Sequence, residues 1–214
     1  MNFLLGFLLI FLICIHPNSV VAEETERDAA RLARELVRDT TIGTLMSVMK
    51  NGTEFEGYPF GSVDYFSDAC PTSTGDPIML LSDIQMNTRN AKAMPKVSLT
   101  VRDLRPGSYP VAKARLTLYG ELEPLSADEI PAAKKCMQRA HPETKWWMPP
   151  DDKEGAPFHD FHFYRLRTRG VYYIGGFGGL HYIGYINNEL YHSSHPTELV
   201  FQRARFSHWL TFWR

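Results

Sequence analysis

The stretch GVYYIGGFGGLHYIGYI, Gly170 to Ile186, sets six glycines among aromatic and β-branched residues. A dinucleotide-binding loop needs Gly at i, i+2 and i+5 at the opening of a helix. Counted from Gly176 and Gly178, the third position is His181, and the chain runs on as Tyr182-Ile183-Gly184-Tyr185-Ile186, which reads as strand. No Lys-Ser/Thr pair follows, so a P-loop is excluded as well. The run is read as two strand segments around a tight bend, where missing side chains let backbones approach closely.

Working outward, the same period of two recurs. TIGTLMSVM (41–49), YPFGSVDYF (58–66), PIMLLSD (77–83), KVSLTVRD (96–103), KARLTLYGELEPL (113–125) and FHFYRLRT (161–168) are strand-length segments. In the fourth, Val97, Leu99 and Val101 face inward and Ser98, Thr100 and Arg102 outward. In the fifth, Ala114, Leu116, Leu118, Gly120 and Leu122 share one side, with Gly120 marking a bend or bulge. Pro59 belongs at an edge or strand start. KNGTEFEG (50–57) reads as a hairpin connection.

Helical spacing is confined to a few places. Residues 23–39 carry Ala29, Ala33, Leu36 and Val37 on one face, with Leu32 beside them and Thr25/Asp28 as the start signal. Residues 84–94 form a short helix stopped before Pro95. Residues 126–140 open on Ser126 and Glu129, a capping-box pair, although Pro131 argues for a later start. A Pro-rich loop follows at 141–157. This pattern predicts a mainly β (α+β) fold: a six-stranded antiparallel Greek-key split β-barrel with two or three peripheral helices.

The 214 residues, 44% apolar and 22% charged, carry a net charge of −1. A nucleic-acid partner would call for a basic excess, which is missing. The first 22 residues read as a secretory signal peptide cut after Ala22, because the apolar run from Phe3 to Ile15 is too short to span a bilayer, which takes about 20 residues. Residues 23–196 then form the barrel domain. Asn51-Gly52-Thr53 is an N-glycosylation sequon. Cys14 leaves with the signal, and the remaining Cys70 and Cys136 permit one disulfide or stay as two buried thiols. The tail 197–214 has Phe206, Trp209, Leu210 and Trp213 at helical spacing among Arg203, Arg205, His208 and Arg214. It reads as a stripe covering the barrel, a membrane- or partner-docking helix, or an erroneous chain end.

Chemistry is sparse. No G-x-S-x-G elbow is present. His159 and His162, three apart, would point to opposite faces of a strand, and His192 and His195 sit in a polar loop without a third ligand, so no metal site is expected. The segment SDIQMNTRNAKAMPK (82–96) gathers Ser82, Thr88, Arg89, Asn90, Lys92 and Lys96, donors suited to a phosphate. Its competing reading is a solvated helix face and a strand start.

The segments GTL (43–45), YPFGS (58–62), SDIQMNTRNAKAMPKVSLTV (82–101), ARLTLYGELEPL (114–125), HPETKWW (141–147) and YYIGGFGG (172–179), in that order, resemble the pyridoxamine-5′-phosphate-oxidase-like split-barrel superfamily. Within it the resemblance is to CREG, the cellular-repressor family of secreted glycoproteins, and covers about residues 25–190. It implies a homodimeric barrel without flavin that acts by binding a protein or receptor partner along the secretory and endolysosomal or vacuolar route, with no catalytic residues. The IGGFGG run (174–179) and Thr88-Arg89-Asn90 look more like haem- or flavin-using relatives. They imply the alternative, an exported FMN- or haem-binding oxidoreductase in which Ser82, Thr88, Arg89, Asn90 and Lys92 hold the cofactor.

Overall fold

The computed structural model describes residues 23–68, 70, 73–107, 109–148 and 160–197. The expected signal segment 1–22, His159 and residues 198–214 of the tail lie outside them. Seven strands form one antiparallel sheet in the order β3-β2-β1-β4-β5-β6-β7: β1 (Ile42–Val48), β2 (Pro59–Ser67), β3 (Ile78–Ser82), β4 (Lys96–Arg102), β5 (Arg115–Pro124), β6 (Phe161–Ile174) and β7 (Ile183–Ile186). The spatial order β3-β2-β1-β4 is a Greek key. A further pairing of β3 with β6 closes the first six strands into a barrel, and β7 hangs outside on β6.

β6 is longer than the sequence indicates. The segment expected to end at Thr168 continues through the first half of the glycine-rich stretch to Ile174. The join is a bulge: Tyr119 pairs with Gly170 but Gly120 pairs with Thr168, so Arg169 is the extra residue. One inserted residue reverses the side-chain alternation. Before it Tyr164, Leu166 and Thr168 are buried; after it Val171 and Tyr173 are. Gly120 makes the bulge possible, because a Cβ there would lie 2.3 Å from the Arg167 carbonyl oxygen. The rest of the glycine-rich stretch is a bend at 175–182, with Gly178 at φ +92°, followed by β7.

Among the described residues there are four α-helices, against the two or three expected: α1 (Glu26–Asp39), α2 (Met86–Ala93), α3 (Ile130–Ala140) and α4 (Asn188–Ser193). α1 starts at the expected capping box, Thr25 with Asp28, and lays Ala29, Ala33, Leu36 and Val37 into the main core with Leu45, Leu99, Leu118, Leu166 and Tyr173. α3 begins at Ile130, as Pro131 requires. Ser126 and Glu129 bond to each other in the turn before it and not as a helix cap. It covers β3 and β6 from outside through Ala133, Met137, Leu80 and Phe163, which is why β3 reads as continuously apolar. α4 corrects the reading of 192 as loop: Asn187 accepts from the Leu190 N–H and opens a helix of six residues, too short and polar to show a period.

Between the β3 and β7 pairings, one edge of β6 is exposed to the loop before β3, and that loop satisfies it. Leu166 N–H donates to the Pro77 carbonyl, and Thr168 N–H donates to Asp76 Oδ1 at 2.8 Å. The Tyr191 and Thr168 hydroxyls both donate to the Gly75 carbonyl at 3.1 Å. Gly75, at φ +88°, lies against the Tyr191 ring and Arg34 and leaves no room for a side chain. Arg34 of α1, 1% exposed, donates to Ser73 and faces Asp68 at 3.8 Å, and Ser73 Oγ donates to Asp68 at 2.6 Å. His192 Nε2 contacts Asp76 Oδ1 at 3.2 Å.

Two outcomes follow from this architecture. Gly120→Ala drives a methyl into backbone and should cost about 1–3 kcal/mol in a denaturant titration. Gly170→Ala, where nothing lies within 4 Å, is the control, and equal midpoints for the two variants would sink the account of the bulge. The second is a pH dependence. The Asp76 hydrogen bond raises the His192 pKa above its ordinary 6.5, despite burial. Stability from that shift is complete below the ordinary value and is lost as pH rises through the raised one. Burial raises the Asp68 carboxyl above 3.8, only partly offset by Ser73 and Arg34. Ionising Asp68 is therefore opposed in the folded chain, which also favours acid. Thermal midpoints should fall between roughly pH 6 and 8, and His192→Gln should flatten that slope; parallel slopes for both proteins would contradict it.

Candidate functional site

The residues picked out as phosphate donors do not share one surface. α2 presents its polar side inward. Asn87 Nδ2 donates to the Leu45 carbonyl and to Ser62 Oγ, each at 2.9 Å, while its Oδ1 accepts from Ser47 Oγ at 2.6 Å. Asn90 Nδ2 donates to Ser47 Oγ at 3.0 Å, and its Oδ1 accepts from the Lys50 N–H. Asp64, inside the same cluster, accepts from Ser62 and from Gln85 Nε2 at 2.8 Å; burial raises its pKa, and those bonds with Asn87 partly offset the rise. Thr88 and Ser82 are each 1% exposed. Ser82 Oγ accepts from the Ile84 N–H, and Thr88 Oγ1 is buried without a hydrogen-bond partner.

The two cations point the other way. Lys92 Nζ is 2.5 Å from Asp83 Oδ2, and Arg89 Nε donates to the Asp83 carbonyl. Asp83 neutralises Lys92, and burial of Ser82, Thr88 and Asn90 closes off their donors. The five residues as arranged do not fit an FMN phosphate or a haem propionate.

Cys70 and Cys136 do come together, in disulfide geometry with Cα atoms 5.3 Å apart. They tie the loop after β2 to α3, with Ser67 Oγ 3.3 Å from the Cys136 sulfur. Asn51 is exposed on the β1–β2 turn, beside Gly52 at φ +79°. His162 pairs with Asp160 at 3.1 Å, and with Asp83 these form a group whose ligand-type atoms lie within 4.8 Å of one another. Asp160 and His162 are exposed and Asp83 already pairs with Lys92, so the group has the character of a solvated ion cluster.

The cavity that could take a ligand lies on the outer face of the barrel, where sequence reasoning did not place one. It measures about 430 Å³ and is lined by Met46 and Val48 of β1, Pro59 of β2, Lys96, Val97 and Ser98 around β4, and Tyr119 to Glu121 of β5, with Arg169 of β6. Its walls are mostly apolar, its volume suits a cofactor-sized molecule, and two cations stand at its rim. Arg169 Nη2 is 3.1 Å from Glu121. The bulge that supplies Arg169 thus also builds the rim. Of the lining residues only Lys96 belonged to the phosphate-donor segment; the outward parity of Met46, Val48 and Tyr119 was the remaining signal in the sequence.

This is a split barrel of the pyridoxamine-phosphate-oxidase-like fold. A family model described as CREG, beta-barrel, matches residues 24–193, and the chain belongs to that family. It is 30% identical over 155 residues to the non-canonical haem oxygenase HOZ, chloroplastic, of Arabidopsis thaliana, covering 71% of this chain and 43% of that protein. It is 25% identical over 161 residues to protein CREG1 of Mus musculus, covering 71% and 69%. Among solved structures, a haem-binding protein from Mycobacterium smegmatis superposes with a TM-score of 0.65 at 26% identity, over 78% of this chain and 61% of that one. The chain therefore spans less than half of the haem oxygenase and about three fifths of the haem-binding protein. A pyridoxinephosphate-oxidase-family protein from Clostridium acetobutylicum, at TM-score 0.50 and 16% identity over 77% and 99%, shares the fold alone.

The cystine gives a direct test. Non-reducing intact mass should show the pair oxidised. Cys136→Ala should cost about 2–4 kcal/mol, since the bridge closes a loop of 66 residues. Free thiols at both positions in the native protein would remove the bridge from the fold.

Proposed function

We propose that the protein is a secreted or endolysosomal–vacuolar CREG-family glycoprotein that acts as a homodimer, through contact with a protein or receptor partner and not by turning over a substrate. The observation that carries this reading is the outer sheet face. Val63, Thr44, Thr100, Thr117, Tyr172 and Tyr185 stand side by side across six strands, and the next row is Gly61, Met46, Ser98, Tyr119 and Gly170. Neither row carries a charge. Thr100 and Thr117 share a hydroxyl hydrogen bond at 3.2 Å, Tyr172 and Tyr185 meet edge-on at 5.0 Å, and Val63 and Tyr185 are more than two thirds exposed. A broad neutral sheet face suits a second copy of itself around a two-fold axis. The export-type segment 1–22, the sequon at the exposed Asn51 and the facing cysteines support the compartment.

A second reading rests on the cavity that shares Met46, Ser98 and Tyr119 with that face: an exported haem- or FMN-binding oxidoreductase. Lys96 would pair with a propionate or a phosphate, Arg169 would do so only on leaving Glu121, which holds it at 3.1 Å, and Met46, Val48 and Tyr119 would flank an aromatic ring system. Met46 and Tyr119 carry the lining atoms of a kind that can ligate haem iron. When bound, such a group supplies electron-transfer or oxygen chemistry. The protein's own part is to pair the anionic groups and keep water off the ring. Within this reading, the names of the two haem-related relatives favour haem over FMN.

Light scattering and absorbance on one preparation separate the readings. The expected result is a colourless dimer that Thr100→Arg converts to monomer. A monomer before mutation would defeat the dimer. A stoichiometric Soret or flavin band that Lys96→Ala/Arg169→Ala abolishes would replace the first reading by the second.

A further inference from the structure

The β4–β5 and β6–β7 connections leave the same end of neighbouring strands. Arg102, Arg115, Ile174 and Ile183 lie in one register row, so the two loops emerge side by side. Each tip is glycine-built and projects freely: Gly107 is at φ +133° and Gly178 at φ +92°, with no atom within 4 Å of where a side chain would start. Large apolar side chains are exposed on both tips. On the first they are Leu104, Tyr109 (81% exposed) and Val111; on the second, Phe177 (62% exposed) and Leu180. Leu104 borders a cavity of about 250 Å³ between the first loop and α1 and is still half exposed; Tyr109, Val111, Phe177 and Leu180 do not line it.

The charge on the first loop is one-sided, while the acidic stretch Glu23–Glu24 packs beside the second. Residues 102–115 contain four cations, Arg102, Arg105, Lys113 and Arg115, against one carboxylate, Asp103, in a chain whose net charge is −1. Asp103 is taken by Arg105 at 2.7 Å. Lys113 and Arg115 donate to the loop's own carbonyls, of Arg105 and Val111, which holds the ammonium and guanidinium groups at the tip. The acidic groups of α1 behind the loop are already matched, Glu35 with Arg31 and Asp39 with Arg38. The bend 175–182 contains no carboxylate. Glu24, which packs against it, faces His181 at 3.2 Å.

Aromatic and aliphatic side chains on two adjacent tips, with four cations on the first, complement a fluid anionic surface better than a folded partner, whose concave site would have to match two separate loops. We propose that this end of the barrel docks on an anionic lipid bilayer, with Leu104, Tyr109, Val111, Phe177 and Leu180 entering the headgroup region and Arg102, Arg105, Lys113 and Arg115 pairing with lipid phosphates or carboxylates. The docking end is distinct from the neutral face assigned to the second copy.

The test is flotation of the full-length mature protein with vesicles of phosphatidylcholine alone or with about 30 mol% phosphatidylserine. Binding should occur on the anionic vesicles only and weaken with salt. Leu104→Ser/Phe177→Ser should reduce it more than about ten-fold. Arg102→Gln/Lys113→Gln should reduce it by about five-fold for each cation removed. All four side chains are surface groups outside the core, so folding should survive, as circular dichroism would verify. Absence of binding to anionic vesicles overturns the proposal. So does equal binding by wild type and both double variants, which would move the association to another part of the chain such as 197–214. Equal partition onto both vesicle types removes the electrostatic half and overturns it too.

Discussion

Everything in this fold leans on one strand having two edges in use at once. β6 offers residues 164–174 to β5 on one side; on the other it divides itself between β3, at residues 161–165, and β7, at residues 171–174. Closing six strands requires that division, and a strand of 14 residues cannot serve both ends of the cylinder without turning. The bulge at Arg169 supplies the turn, Gly120 clears the space for it, and the reversal of side-chain parity keeps both halves facing the core. In the gap left between β3 and β7, residues 76 and 77 accept the N–H groups of Thr168 and Leu166, which would otherwise lack a strand partner.

That filling explains why the loop before β3 draws so many fixings. Arg34, Ser73, Asp68, Tyr191 and His192 come from α1, the loop itself, the end of β2, and α4, yet all converge on a few residues. Burying Arg34 with Asp68 is costly in isolation. It is tolerated because each partner also bonds Ser73. The cysteine pair tethers the same stretch from the other side. The helices at the two ends of the described chain thus meet through the piece of backbone that completes the barrel.

The sequence showed the strands because their alternation is a local property. It also showed the bulge at Gly120 and the late start of α3 at Pro131, both consequences of a single residue's stereochemistry. Four things escaped it. α4 is one and a half turns long and has no period to read. Arg34 looks like any solvated helix arginine until a tertiary carboxylate faces it. The Ser82–Lys92 segment has the donors of an anion site, but whether a donor faces a ligand or the core depends on how α2 is rotated. Asn87 and Asn90 turned inward to bond β1, and Asp83 claimed the lysine. The cavity was hidden for a related reason: its wall comes from five strands whose residues become neighbours only once the registers are set.

The division of labour on β6 also bears on how such a chain is made. β3 and β5 have no means of meeting until residues beyond 160 exist, so during synthesis the first five strands form an open sheet with two bare edges. Such edges invite pairing with other chains. The interval from Pro124 to Phe161, which includes α3 and its cysteine, is therefore synthesised while the barrel is still open. α3 covers the outer side of β3 during that interval, and this shelters the apolar strand that waits longest for its partner.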